Sequence, residues 1–258
     1  MDDKRKENRS FYEFRPVQRV NGMNKEKRLL IIKVLLFLIA VGLLIILLNR
    51  QNQDPRLQVN LREFVEPRCV VERVIPVNDK DGDGIYDLDD IVQGARKDLE
   101  AKPLYKDAYY AGGYPPENEG VCTDVIWRAL QNAGYDLKVM MDKDIKEHPG
   151  DYPRVEGRPD PNIDFRRVPN QEVFFKKYAD RLTTGIKPWD AENLKEWQGG
   201  DIVVFGPPYD HIGVVSDQRR ADGVPLLIHN AGPCTREEDA LLTWPSPLKY
   251  HFRFSKAR

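Results

Sequence analysis

The chain has 258 residues, with 40 lysines and arginines against 41 aspartates and glutamates, which leaves a formal net charge of −1 at pH 7. That length suits one domain with appendages. The nearly neutral balance gives no reason to expect a nucleic-acid-binding protein, because such proteins carry a clear excess of positive charge.

The N-terminal segment divides into a basic tail and an apolar run. Residues 1–28 carry nine basic and five acidic residues without an apolar period, which predicts a disordered cytoplasmic tail. Residues 29–48 are apolar except for Lys33, and about 20 such residues span a bilayer core. No small-residue cleavage site follows, so the run is predicted to be an uncleaved transmembrane signal anchor with an extracytoplasmic C-terminal side. A buried soluble helix is the alternative.

The three cysteines leave an odd thiol in a chain that is predicted to be exported. A disulfide between Cys69 and Cys234 would leave Cys122 free, and three free thiols are the equal alternative. Residues 49–78 are predicted to be a polar linker, in which the valine- and isoleucine-rich stretch 69–77 is expected to form a short strand.

Residues 79–90 have the spacing of a calcium-binding loop. Gly84 occupies the sharp turn at the sixth position, and the twelfth position carries aspartate where glutamate is usual. This spacing wraps several oxygens around one point, which hard cations require. The predicted ligands are five carboxylates and one backbone carbonyl: Asp79, Asp81, Asp83, Ile85, Asp87 and Asp90.

The loop resembles the calcium loops of EF-hands and dockerins, although it has no second copy and no helix is predicted before it. Ca²⁺ is therefore expected in a structural role, where it would anchor the helix that follows. An acidic linker that caps this helix is the alternative.

The remaining chain, over residues 88–254, is predicted to be a single domain with a helical half and a strand half. Helices are predicted over residues 88–101, 121–133 and 171–182, and the proline- and aspartate-rich stretch 142–171 is predicted to be an ordered surface loop. Strands are predicted over residues 201–205, 211–216, 226–229 and 249–254. Because helices precede strands without alternation, the order predicts an α+β fold with an antiparallel sheet.

Cys122 begins a predicted helix, whereas His211 and His229 lie on neighbouring predicted strands. The unpaired amides and the dipole at a helix start favour the thiolate, which is the nucleophilic form of cysteine. His211 begins its strand after a turn and is the predicted general base, with His229 as the residue that orients it. A buried inert thiol and two structural histidines are the alternative.

Further residues near these three are candidates for supporting roles. Asp210 or Asn230 is the alternative to His229 as the orienting residue. The backbone amide of the cysteine is expected to donate to the oxyanion of the tetrahedral intermediate, together with a hydroxyl from Tyr110 or Tyr114.

Several segments resemble known families. The stretches 120–125, 162–170, 200–203 and 228–230 resemble the marks of the bacterial domain-of-unknown-function family 1287 over residues 88–254. The order of a cysteine at a helix start, Gly-Asp-Ile-Val-Val-Phe, His-Ile-Gly-Val-Val and Ile-His also resembles the NlpC-type cell-wall peptidases. The second resemblance implies a papain-like fold and a triad of Cys122, His211 and His229.

These observations predict a membrane-anchored extracytoplasmic cysteine hydrolase, an amidase or peptidase acting on cell-wall peptide, without an organic cofactor. Arg166 and Arg167 are predicted to bind a substrate carboxylate, and structural salt bridges are the equal alternative. Two other functions remain open. One is a non-catalytic binding module of the cell envelope. The other is a metal-dependent hydrolase that uses His211, His229 and either Asp210 or Cys122, although the chain has no His-Glu-x-x-His pair.

Overall fold

The computed structural model describes residues 25–51, 67–74 and 76–254. The chain separates into two compact units, residues 1–61 and 62–258. The described part of the first unit is one helix, α1 (Lys25–Gln51), and large apolar side chains such as Leu30, Leu36 and Phe37 are exposed on it. Among the described residues, none of the helices combines the length and hydropathy needed to cross a membrane. The predicted tail up to residue 24 lies outside the described residues.

The second unit contains helices first and most of its strands afterwards. The helices are α2 (Asp87–Ala101), α3 (Cys122–Asn132), α4 (Leu137–Glu147), α5 (Val168–Tyr178) and the short α6 (Ala191–Leu194). The strands are β1 (Leu104–Tyr105), β2 (Glu119–Gly120), β3 (Asp180–Arg181), β4 (Ile202–Phe205), β5 (His211–Arg219), β6 (Pro225–Asn230), β7 (Thr235–Glu238) and β8 (Leu248–Arg253).

Six of these strands form one sheet in the order β3-β8-β4-β5-β6-β7, and every neighbouring pair in it is antiparallel. Phe205 at the end of β4 faces His211 at the start of β5, and Val214 of β5 faces Ile228 of β6. The predicted α+β class with an antiparallel sheet is therefore confirmed. The short β1 and β2 form a separate parallel pair.

The helices cover one face of this sheet with an apolar core. Residues that alternate along the strands, such as Ile212, Val214 and Ile228, belong to the same buried cluster as the apolar face of α3. Helices α2 and α3 cross in close contact at Gly94, where an added Cβ would lie 2.8 Å from the Cα of Ala129. A side chain at that position would push the two helices apart, so the crossing requires glycine.

The intervening strand residues pack on the opposite face. Val203, Val215 and Leu227 form a second buried cluster with Trp197, and Trp244 packs against it. Asp201 directly precedes β4 and links it to β8, because its carboxylate accepts a hydrogen bond from Arg253 and also bonds to His251, both on β8.

The structure corrects four expectations about secondary structure. No strand forms in the described residues of the stretch 69–77. Helix α4 and two short 3₁₀ turns extend through the stretch that was predicted to be a loop, and α5 begins at Val168 and ends at Tyr178. The polar strand β7 was not predicted, because its sequence Thr-Arg-Glu-Glu lacks an apolar alternation and it forms only by pairing with β6.

Candidate functional site

The two histidines on the neighbouring strands meet in a buried contact. The Nε2 atom of His211 lies 2.7 Å from the Nδ1 atom of His229, and the residues are 5% and 1% exposed. Because His211 begins β5 and His229 lies near the end of the antiparallel β6, the turn between the strands brings the two rings to one end of the sheet. The predicted pairing of the two histidines is present in the structure.

A carboxylate completes a linear relay with these rings. The Nε2 atom of His229 lies 3.0 Å from the Oε1 atom of Glu238 on β7. A carboxylate accepts hydrogen bonds, so this contact assigns the proton of His229 to Nε2 and leaves its Nδ1 to accept from Nε2–H of His211. The neutral His211 ring is thereby left with an unprotonated Nδ1, which is the atom that a general base requires.

Trp244 forms the wall beside both rings. Its indole stacks on His211 with ring centroids 4.1 Å apart and meets His229 edge-on at 5.4 Å. The indole Nε1–H is buried and has no acceptor among the described residues. Neither Trp244 nor Glu238 was identified from the sequence, because both lie in segments without a motif and reach the site only through the tertiary fold.

The Cys122 thiol is buried at the start of α3 against the first residues of β5. The backbone amides of Ile212 and Thr123 contact its sulfur and lower the pKa of the thiol, but burial dominates and raises it to about 12. The helix start was expected to favour the thiolate, and this expectation is not met, because desolvation outweighs the amides. The resting thiol is therefore protonated.

Cys122 and His211 lie at the same end of β5 but on opposite faces of the sheet. Ile212, whose amide contacts the sulfur, directly follows His211, yet the His211 ring packs with Trp244 on the opposite face of the sheet from the core around Cys122. In the part of the chain that the structure describes, no hydrogen bond joins the Cys122 sulfur to either imidazole. The structure thus pairs the histidines and brings Cys122 to the strand end that they occupy.

The residues predicted to support the oxyanion or the base have other partners. The Tyr110 hydroxyl donates to Glu119, and the Tyr114 hydroxyl donates to Asp136. The side-chain amide of Asn230 donates to the backbone oxygen of Pro103, and Asp210 is exposed. Within the described residues, none of these four side chains hydrogen-bonds to the histidines or to Cys122.

Tyr105 is a further candidate that the sequence did not single out. It pairs with Gly120 where β1 and β2 run parallel. Gly120 lies two residues before Cys122. Burial and then the charge of a Cys122 thiolate raise the pKa of Tyr105. Its phenol is therefore neutral and can donate a hydrogen bond.

The two predicted substrate-binding arginines are engaged within the protein. Arg166 is 5% exposed and forms a bidentate ion pair with Asp124, with its Nε and Nη2 atoms 2.7 and 2.8 Å from the two carboxylate oxygens. Arg167 donates to the backbone oxygen of Arg154 and to Asp164. The geometry favours the salt-bridge alternative, most clearly for Arg166.

All three cysteines are free thiols in the structure. Cys69 lies near Gly223, whereas Cys234 forms an isolated backbone β-bridge with Leu104. This arrangement agrees with the alternative of three unpaired cysteines.

The buried histidine pair predicts a loss of stability in acid. Burial, and then the charge of His229, lower the pKa of His211 from 6.5 to about 3, and burial also lowers the pKa of His229. The unfolded chain therefore binds protons below pH 6.5 that the folded protein does not bind. The free energy of unfolding should fall between pH 6.5 and about 3, by up to about 1.4 kcal/mol per pH unit from His211, and the lowered pKa of His229 acts in the same direction.

Urea unfolding at pH 7.5 and at pH 4.5 measures this effect. The His211→Gln variant keeps a donor toward His229 but does not titrate, so its free energy of unfolding should depend less steeply on pH. Equal pH dependence in the two proteins would refute the assignment of the acid sensitivity to this pair.

Comparison with known proteins gives two matches. The family model described as "Domain of unknown function (DUF1287)" matches residues 92–254. The Uncharacterized protein YijF of Escherichia coli (strain K12) is 39% identical over 172 residues, which cover 64% of this chain and 80% of that protein. The matched region contains Cys122, the histidine pair, Glu238 and Trp244. The chain belongs to the DUF1287 family.

Proposed function

We propose that this protein is a cysteine hydrolase, an amidase or peptidase of the cell envelope. Cys122 is the nucleophile, His211 is the general base, and His229 with Glu238 orients that base. The observation that carries the proposal is the relay from Glu238 through His229 to His211, with contacts of 3.0 and 2.7 Å. Such a relay sets one tautomer of the terminal imidazole, which is the role of the third member of a catalytic triad.

The surroundings of the nucleophile agree with this chemistry. The Ile212 and Thr123 amides already contact the Cys122 sulfur, and donors of this kind stabilise a thiolate and a developing oxyanion. The indole of Trp244 stacks on His211 and fixes the plane of the proposed base on the other face of the sheet.

The proposed reaction begins from a neutral thiol and a neutral imidazole, because the pKa of Cys122 is raised to about 12 and that of His211 is lowered to about 3. The proton moves from sulfur to Nδ1 of His211 as the sulfur attacks the substrate carbonyl carbon. His211 then gives this proton to the leaving amine, and a thioester forms on Cys122. Water hydrolyses the thioester with His211 again as the base, which releases the carboxylic acid and restores the thiol.

The first step requires the His211 ring to reach the sulfur around the start of β5. Catalytic hydrogen bonds are often long or poorly aligned in a protein without substrate and tighten only in the complex. We therefore place this contact in the substrate complex.

The proposed location is the extracytoplasmic side of a membrane, where peptidoglycan peptides are the available amide substrates. The support for a membrane anchor is the sequence itself, in which residues 29–48 are apolar except for Lys33 and about 20 such residues span a bilayer core. A papain-like fold of the NlpC type is part of the same proposal, and the antiparallel sheet with a cysteine at the start of a packed helix supports it.

Digestion of defined peptidoglycan stem-peptide fragments tests the proposal. The full-length protein in detergent should release a new amine and a new carboxylic acid, which mass spectrometry identifies. The Cys69→Ser/Cys234→Ser double variant, in which Cys122 is the only thiol, should keep this activity and lose it when the thiol is fully alkylated. Full turnover by the alkylated protein would refute the proposal.

A non-catalytic binding module of the cell envelope is the second candidate. The raised pKa of Cys122 favours it, because a thiol of pKa about 12 is almost fully protonated at neutral pH. Saturable binding of a stem peptide without any turnover would establish this alternative. A metal-dependent hydrolase has less support, because both nitrogens of His229 already have partners.

A further inference from the structure

We propose that residues 79–90 form a Ca²⁺ site that joins the start of α2 to the end of α3. This site lies outside the relay and outside the core around Cys122, and it does not depend on the proposed hydrolase activity.

Three carboxylates converge at the loop. Asp79, Asp81 and Asp83 each offer one oxygen, and these oxygens all lie within 4.8 Å of one another. They occupy the first, third and fifth positions of the calcium-loop spacing. Exposed acidic groups alone do not make a site, so the argument depends on a fourth residue.

Asp90, at the twelfth position of the calcium-loop spacing, is a buried carboxylate at the start of α2. It is only 3% exposed, and within the described residues no donor hydrogen-bonds to its side chain. The charges that act on its carboxyl are those of four other aspartates, Asp83, Asp81, Asp87 and Asp79. A buried carboxylate without a partner among four others is unfavourable unless a cation compensates the charge.

The backbone of the loop is already arranged around these ligands. The Gly82 and Gly84 amides donate to the two oxygens of Asp79 at 2.7 and 3.0 Å. Gly84 has a φ of +92°, a conformation that L side chains rarely adopt, so glycine is required at this sharp turn. Ile85, at the seventh position, is the residue whose carbonyl the spacing assigns as a ligand.

Asp87 fastens the loop to the protein. Its two oxygens accept from the Lys80 amide and from the Tyr135 hydroxyl just beyond α3. Asp81 also lies against Gly134, where an added Cβ would be 2.9 Å from the Asp81 Cβ. We therefore assign Asp87 to holding the loop, and assign direct ligation to Asp79, Asp81, Asp83, Asp90 and the Ile85 carbonyl.

The donor set selects the type of cation. All the assigned ligands are oxygens, four of them from carboxylates, and hard cations prefer such ligands over zinc or copper. A loop that offers five protein oxygens suits Ca²⁺ better than Mg²⁺, which requires near-octahedral geometry and keeps several waters.

Calorimetry on the chelator-treated full-length protein in detergent tests the site, with CaCl₂ and then MgCl₂ as the titrant. Saturable heat with Ca²⁺ and a rise of several degrees in the unfolding midpoint are expected. Asp90→Asn should weaken Ca²⁺ affinity by about tenfold or more. Without Ca²⁺ the same variant should unfold at an equal or higher temperature than the wild type, because it removes one of the crowded charges.

Asp89→Asn is the matched control. The Asp89 carboxylate pairs with Arg73, which lies outside residues 79–90, so this substitution should leave Ca²⁺ binding unchanged. Asp83→Asn, at an exposed position, provides a second ligand variant that should also lose affinity. Absence of heat and of any midpoint shift with Ca²⁺ in the wild type would overturn the site. Undiminished affinity in both ligand variants would overturn the assigned ligands.

Discussion

Cys122→Ala and His211→Gln are each expected to lower kcat on a cell-wall stem peptide by about 10³-fold or more. The first substitution removes the only atom that can form the thioester. The second keeps a donor toward His229 but removes the imidazole that takes the thiol proton. Because the nucleophile and its base act as one unit, the double variant should lose no more activity than either single variant. Initial rates on a purified stem peptide measure these effects.

Asp210→Asn is the control for these variants. Asp210 directly precedes His211 but is exposed, and it makes no contact with the relay in the described residues, so kcat should change by less than about twofold. Circular dichroism should confirm that all the variants fold. Turnover of the Cys122→Ala variant within tenfold of the wild type would show that the thiol does not carry the reaction.

Asp124→Ala is expected to lower the free energy of unfolding by about 3–5 kcal/mol. Asp124 is fully buried, and its carboxylate accepts from the Arg166 guanidinium, from the Val121 amide and from the Trp127 indole. Its removal leaves the Arg166 charge without its buried partner. Urea unfolding followed by circular dichroism measures the change.

Asp136→Ala is the matched comparison, since Asp136 is an exposed aspartate that caps α4 through the Val139 amide. Loss of a cap of this kind costs about 1 kcal/mol. If Asp124→Ala costs no more than Asp136→Ala, the buried ion pair does not stabilise the fold. The Asp124→Ala variant should also lose activity at temperatures where it remains folded, because Asp124 holds the turn directly before Cys122.

The local pattern of the sequence was sufficient for several elements of the fold. Apolar residues at three- and four-residue spacing predicted α3, and the buried run before the Pro207-Pro208 turn predicted β4. The helix after the acidic loop was predicted over residues 88–101 and is observed from Asp87 to Ala101. These elements are recognisable because each has a periodicity that its own neighbours in sequence define.

The pairing of His211 with His229 was also predictable, because a hairpin connects their strands. Glu238 and Trp244 were not, since β7 forms only when β6 offers it a partner and Trp244 follows without a motif. The partner of Arg166 was left open as well, because two residues 42 positions apart in the chain meet only in the packed core.

The sequence by itself determined the α+β class, the placement of helices before strands and three residues of the candidate site, Cys122, His211 and His229. The tertiary structure alone decided the protonation of that site. The dipole at a helix start predicts a thiolate for a cysteine placed there. The pKa of Cys122 is nevertheless raised to about 12, because packing against β5 removes the thiol from water. Desolvation depends on every element that surrounds a group, and no local pattern of residues contains that information.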